Sequence, residues 1–187
     1  GTSPLIPDFD KYDAGMYAIG NYNLNETTEI STGIRYDFTD INANKEYNFT
    51  DWQETYNYDE LFPEFESGAI RGTDIPTNPR FTYHNVSASL GLSKKFDNNI
   101  QLLANYGSAS RVPNPSELFS EGLHHSAARI ETGLLTIGKE IANKFILSLE
   151  KNNNNFGFAI SPYYKGINGF VQLIPVGITT TIRGAFP

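Results

Sequence analysis

The residues best equipped for chemistry are few: adjacent imidazoles at His124-His125, the Arg111 and Glu117 charges upstream, and an acidic, aromatic stretch between Thr39 and Arg80. Two histidines suggest metal ligation. In an extended chain, however, adjacent side chains point to opposite sides, so the pair does not easily chelate one ion. No third ligand follows at a helical i+4 spacing, and the chain has no cysteine, which removes thiolate zinc sites and disulfides alike. A structural role, with imidazoles bonded to loop carbonyls, fits these histidines and His84 better. In the acidic stretch, Asp40, Glu46, Asp51, Glu54, Asp59, Glu60, Glu64 and Glu66 alternate with Tyr47, Phe49, Trp52, Tyr56, Tyr58, Phe62 and Phe65. Two readings are open. One is a ligand-capturing surface that uses aromatic stacking and acidic hydrogen bonding, with Trp52, Tyr56 and Tyr58 as contacts. The other is a loop folded on its own aromatics. No nucleophile elbow, phosphate-binding glycine loop or Glu-flanked histidine pair is present. The sequence therefore assigns no catalytic residue, cofactor or metal site, and the chain is not read as an enzyme.

The elements that carry these residues alternate with a period of two. Ile30, Thr32, Ile34, Tyr36 and Phe38 oppose Glu29, Ser31, Gly33, Arg35 and Asp37, while Val86, Ala88, Leu90 and Leu92 oppose Ser87, Ser89, Gly91 and Ser93. Such alternation predicts strands at roughly 12–24, 28–38, 81–96, 100–107, 142–152 and 156–165. Ile19, Leu103 and Ile146 interrupt it, and Pro162 belongs at a strand end or bulge. The joints alternate too. Asn25-Glu26-Thr27, Asp97-Asn98-Asn99 and Asn152-Asn153-Asn154-Asn155 are tight polar turns, whereas 39–80 and 107–141 are long connections.

Short turns on one side and long loops on the other are expected of strands that cross a bilayer in hairpins. Ten residues at ~3.3 Å each and ~45° tilt span roughly 25 Å, the height of a barrel's apolar band. The expected fold is all-β: part of an antiparallel up-and-down transmembrane β-barrel, with lipid as a partner. A secreted or surface β-sandwich binding a ligand such as a carbohydrate remains the alternative. It would place Ile30, Ile34, Leu90, Leu92, Leu102, Phe145 and Leu147 in one dry core. A net charge of −7 argues against a nucleic-acid surface. No apolar run reaches the length of a spanning helix.

The stretch Ala104–His125 contains Arg111-Val112-Pro113-Asn114-Pro115-Ser116-Glu117-Leu118-Phe119-Ser120 and then Gly122-Leu123-His124-His125. It resembles TonB-dependent outer-membrane receptors, most of all a branch common in Bacteroidetes. Glu131, Gly133, Ile137 and Glu140 are similar to that family's spacing into the next strand, with Ile137 where Leu is usual. Tyr163-Tyr164, Ile167-Asn168 and Phe170-Val171 are similar to a later strand, and Thr181–Pro187 to the segment before another. The resemblance implies a larger parent with a plug domain inside a 22-stranded barrel. This chain would be an internal fragment of about six strands, without the plug. Its parent would sit in the Gram-negative outer membrane and take up a scarce ligand, most simply a ferric siderophore or other iron complex. The inner-membrane TonB complex would drive it through the plug. Arg111, Glu117, His124 and His125 would lie near the extracellular rim, as architecture or as ligand contacts. A sheet of about six strands would not close, so its edges, expected at Tyr12–Leu24 and Phe156–Tyr164, invite self-association.

Overall fold

The computed structural model describes residues 4–153, 156–181 and 184–186; Asn154, Asn155 and, of the Thr181–Pro187 motif, Ile182, Arg183 and Pro187 lie outside them. The strands are β1 (Phe9–Asn25), β2 (Thr28–Ala43), β3 (Lys45–Asn48), β4 (Asp74–Thr77), β5 (Arg80–Phe96), β6 (Ile100–Arg111), β7 (Glu121–His124), β8 (Arg129–Thr132), β9 (Glu140–Asn152), β10 (Gly157–Ile160), β11 (Tyr163–Asn168), β12 (Thr179–Thr181) and β13 (Gly184–Phe186). The principal sheet is antiparallel in the order β1-β2-β5-β6-β9, and both β10 and β11 pair with β9. β3-β4, β7-β8 and β12-β13 are separate small hairpins. Among the described residues no helix is long and apolar enough to cross a membrane, a fact silent about strands.

Local chemistry explains the tight turns. Between β1 and β2 the Asn25 side chain accepts a 3.0 Å hydrogen bond from the Thr27 amide, an Asx turn. Between β5 and β6 the 3-10 turn Asp97–Asn99 ends with Asn99 at φ 58°, a left-handed conformation that asparagine tolerates.

The strand bounds depart from the sequence expectation most clearly at three places. β2 runs past Phe38 to Ala43, because Asp40 and Asn42 keep facing Thr82 and Arg80 across the ladder. β6 continues past Gly107 to Arg111, since Ser108–Arg111 pair with Glu140–Asn143. The last predicted strand is divided at Ser161-Pro162. Proline has no N–H for the ladder, although the Pro162 carbonyl still accepts the Leu147 amide at 3.1 Å.

The ladder sorts side chains by parity. Residues paired across it share a face, which puts Ala18, Ile34 and Ala88 in one row and Thr32, Leu90, Tyr106 and Phe145 in the next. This apolar face carries no second layer: Ile34 is 57% exposed and Leu90 55%. That corrects the sandwich alternative, which required both in a dry interior.

The dry core lies elsewhere. Trp52, Tyr58, Phe119, Ile41, Ile75, Leu118 and Leu135 are buried together with Ala43, Tyr47 and Phe65. Most of them belong to the two long connections. Ile41 and Ala43, with Phe81 and Tyr83 packed alongside, come from the sheet's other face. Both connections thus fold back over the upper end of the polar face as one cap. Removing Trp52 by Trp52→Ala should cost about 3–5 kcal/mol of cap stability. Hydrogen exchange should accelerate in both β3-β4 and β7-β8, while the β2-β5 ladder keeps its protection.

Candidate functional site

The cap is the site at which the predicted ligand residues meet. Its first connection supplies β3-β4, a π-helical turn at Thr50–Thr55 and the short helix α1 (Tyr58–Leu61). Its second supplies α2 (Pro115–Phe119) and β7-β8. The centre is a cluster of rings. Tyr47, Trp52 and Tyr58 lie with centroids 5.2, 5.4 and 5.9 Å apart. Trp52 donates from Nε1 to Glu66 Oε1 at 2.8 Å, and the Tyr58 hydroxyl accepts the Leu135 amide at 3.0 Å. Burial pushes the Tyr58 hydroxyl up to about 12.

Trp52 and Tyr58 therefore offer a ligand no free ring face as folded. Their aromatic surface is consumed inside the cap, as the self-folded reading of this loop requires. Tyr56 is different: it stacks on Tyr58 at 5.1 Å and remains half-buried.

A buried cation joins the two connections. Lys45 Nζ lies 2.9 Å from Glu121 Oε2, donates to the Phe119 carbonyl at 3.1 Å and sits 4.2 Å above the Tyr47 ring. Burial pulls its pKa down, while Glu121 opposes that change. Nothing local in the sequence marks Lys45 for this role, because its partners Phe119 and Glu121 lie far along the chain. Beside it a cleft of about 710 Å³ opens between Pro4–Asp8 and the cap, with Glu46, Phe119 and Glu121 in its lining. The Leu5 and Asp8 carbonyls hold that segment in place by accepting the Glu121 and Asn44 amides.

Arg111 and Glu117 meet in a charged clasp. Arg111 donates from Nε to Glu140 Oε2 at 2.6 Å, and its two terminal nitrogens reach Glu117 at 3.0–3.1 Å. Glu117 also completes a capping box on α2 by accepting the Asn114 amide, and Glu140 Oε1 accepts the Val171 amide. Both acids are thereby oriented for structure, with the planar guanidinium matching two carboxylates at once.

The two histidines go separate ways. His124 ends β7 with Nδ1 2.8 Å from Glu131 Oε1, which Arg129 Nε also reaches at 2.6 Å. His125 begins the exposed tip of the hairpin. No group of three or more His, Asp or Glu able to hold a metal occurs among the described residues.

His124, followed by Arg129, holds the Glu131 carboxyl below its ordinary value. The stabilisation it contributes is complete above the ordinary glutamate value of 4.5 and disappears as pH falls through the lower folded-state value. Protection factors at Leu123 and Ile130 should drop over that acidic range, and Glu131→Gln should flatten the response.

Residues 1–185 match the family described as TonB dependent receptor-like, beta-barrel. No curated protein matches the chain in sequence. Among solved structures, the chain is similar to "Copper transporter OprC" at TM-score 0.62 and 16% identity, over 87% of this chain and 22% of that one. It is also similar to a double mutant of the Serratia marcescens hemophore receptor HasR, solved with its hemophore HasA and heme. There the TM-score is 0.56 with 15% identity, over 86% of this chain and 26% of the other. The chain thus spans about a quarter of the length of these structures, and at such identities the likeness concerns the fold alone. The family match covers nearly every residue: this chain belongs to the TonB-dependent receptor β-barrel family.

Proposed function

We propose that the chain forms part of the wall of an outer-membrane receptor that imports a scarce metal complex, with a ferric siderophore or another iron complex as the first candidate. The observation carrying this reading is the outward apolar face, bounded above and below by polar rows. On β5 the residues from His84 to Leu92 on this face lie between Thr82 and Lys94. At ~3.3 Å per residue and ~45° tilt that interval is roughly 28 Å high, close to an apolar membrane band. Above it, Asp40 accepts from Arg80 at 3.0–3.2 Å and from Thr82 at 3.1 Å. Below it, Lys94 donates to Thr27 and Thr28, each at 2.9 Å. Tyr36 shares a 2.6 Å hydrogen bond with His84, against which Phe38 also packs. Such rings with polar tips suit a membrane interface.

In this reading the long connections face the exterior of a Gram-negative cell, where the cap and its cleft contact the cargo. Of the sequence candidates, Tyr56 and His125 have free surface, while Trp52, Tyr58, Arg111, Glu117 and His124 support the cap. The TonB complex would act through the parent's plug. Both flanks of the sheet, β1 and β11, would pair with further strands of the parent, or with other copies if the span were isolated. The copper and heme named for the two similar structures support a metal-containing cargo.

A strain lacking the full-length parent should lose growth on one of several single iron sources, ferric siderophores and heme among them, and regain it on complementation. Equal growth of deleted and complemented strains on every source, with equal copper accumulation, would remove the uptake reading. The wall itself is tested by neighbours of opposite parity in that parent. Leu90→Arg should cost about 2–4 kcal/mol in lipid, far more than Ser89→Arg, when unfolding is followed in vesicles.

A further inference from the structure

The lower border of the outward face carries charge of one sign. Parity puts Lys94 and Lys151 there: Lys94 pairs with Thr28 and Leu102, and Lys151 with Ile100 and Phe158. The adjacent acids go the other way. Glu29 pairs with Ser93, and Glu150 with Gln101 and Ala159, on the inward face that Lys95 shares. Glu26 and Asp97 lie in the tight turns below. Among the described residues no carboxylate comes within ion-pair distance of either outward ammonium.

Both lysines have their strand neighbours within this chain. Lys94 on β5 lies between β2 and β6, and Lys151 on β9 lies between β6 and β10. Their partner is therefore whatever covers the outward face. The Lys94 ammonium is also held in place. It donates to the Thr27 and Thr28 hydroxyls, each at 2.9 Å, which leaves one of its three N–H groups free. Thr27 donates its own hydrogen to Asn25 Oδ1 at 2.9 Å, whereas the Thr28 hydroxyl hydrogen has no acceptor among the described residues. An ammonium N–H and a hydroxyl thus stand side by side at the foot of an apolar wall. Leu102 and Leu149 continue the row of Lys94, and Leu92, Ala104 and Leu147 form the row above.

We propose that this border is a docking site for an anionic phospholipid of the periplasmic leaflet. Its phosphodiester sits against Lys94 and Thr28, Lys151 adds a second positive charge, and an acyl chain lies along Leu92, Leu102 and Leu149. The inference rests on the wall reading above, which puts the short turns on the periplasmic side and lipid against this face. It adds the class of lipid. Charge complementarity selects that class. Any phosphodiester offers acceptor oxygens to the two donors. A zwitterionic headgroup, however, brings its own ammonium to a border that holds two cations and no outward acid. A headgroup of net negative charge brings nothing that these lysines repel.

The test uses the full-length receptor, with any other cysteine replaced, reconstituted in phosphatidylcholine vesicles. Ala104 lies on the outward face between Leu92 and Leu147, so a bimane attached to Ala104→Cys reports on the lipid just above Lys94. Its quenching by phosphatidylglycerol with brominated acyl chains is compared with quenching by phosphatidylcholine brominated in the same way. At equal mole fraction the anionic lipid should occupy the site about tenfold more readily. Lys94→Gln with Lys151→Gln should bring the ratio to one, and Thr28→Val should lower it about twofold. Equal quenching by the two lipids, a preference that survives both glutamines, or one indifferent to Thr28→Val overturns the proposal while leaving the wall in lipid. Quenching by neither lipid means that protein or water covers this face, and the wall reading itself then fails.

Discussion

A strand lying in hydrocarbon has no water to satisfy its N–H and C=O groups, so each must find its partner on a neighbouring strand. Most other features of this structure follow from that requirement. β2 and β5 pair in unbroken register from Thr28 opposite Lys94 to Asn42 opposite Arg80, and β1 adds one irregularity near Asn23 and Asn25. With the ladder fixed, each side chain's face is decided by its parity alone. A slip of one residue would exchange Leu90 with Ser89 and Ile34 with Gly33, presenting hydroxyls and bare backbone to lipid. Register and membrane facing are thus the same property.

A sheet with one face toward lipid and the other toward a lumen has nowhere to build a dry core. The buried aromatics accordingly sit in the connections, where Trp52, Tyr58, Phe65 and Phe119 bury one another. Neither connection does this alone. The Tyr58 hydroxyl takes its hydrogen bond from Leu135, and Lys45 is held by Glu121 and the Phe119 carbonyl. The floor of the cluster, Ile41 and Ala43, belongs to β2. Extending that strand past Phe38 gives the cap a hydrophobic footing on an otherwise polar face.

Strands and tight turns were legible in the sequence because period-two alternation and Asn-rich turns are local signals. The residues that break the pattern do lie on the otherwise polar inner face: Ile19 faces Gly33, Leu103 faces Ser148, and Ile146 lies between Asn105 and Tyr163. Strand ends were less legible. Ser108–Arg111 looks like a loop by composition, and only pairing with Glu140–Asn143 makes it a strand. The roles of Trp52 and Tyr58 could not be read from their neighbours, since exposure depends on Leu118, Phe119 and Leu135 from the other connection. Arg111 and Glu117 were recognisable by motif, but whether they bind or brace depends on Glu140, which only the fold brings beside them.

The clasp around Arg111 also determines how the cap relates to the wall. Arg111 is the last residue of β6 and Glu140 the first of β9, so their ion pair closes the upper end of the ladder that holds Gly107 against Lys144. The same guanidinium grips Glu117 in α2, and the same Glu140 holds Val171, beyond β11. A displacement of α2 therefore pulls on the top of both strands, and the next connection is tied to the same point. Loops anchored only to one another could move without disturbing the wall. Loops anchored through a shared arginine at the head of the ladder cannot, because shifting them strands at least one carboxylate without its partner. Cap and wall are mechanically continuous at this corner.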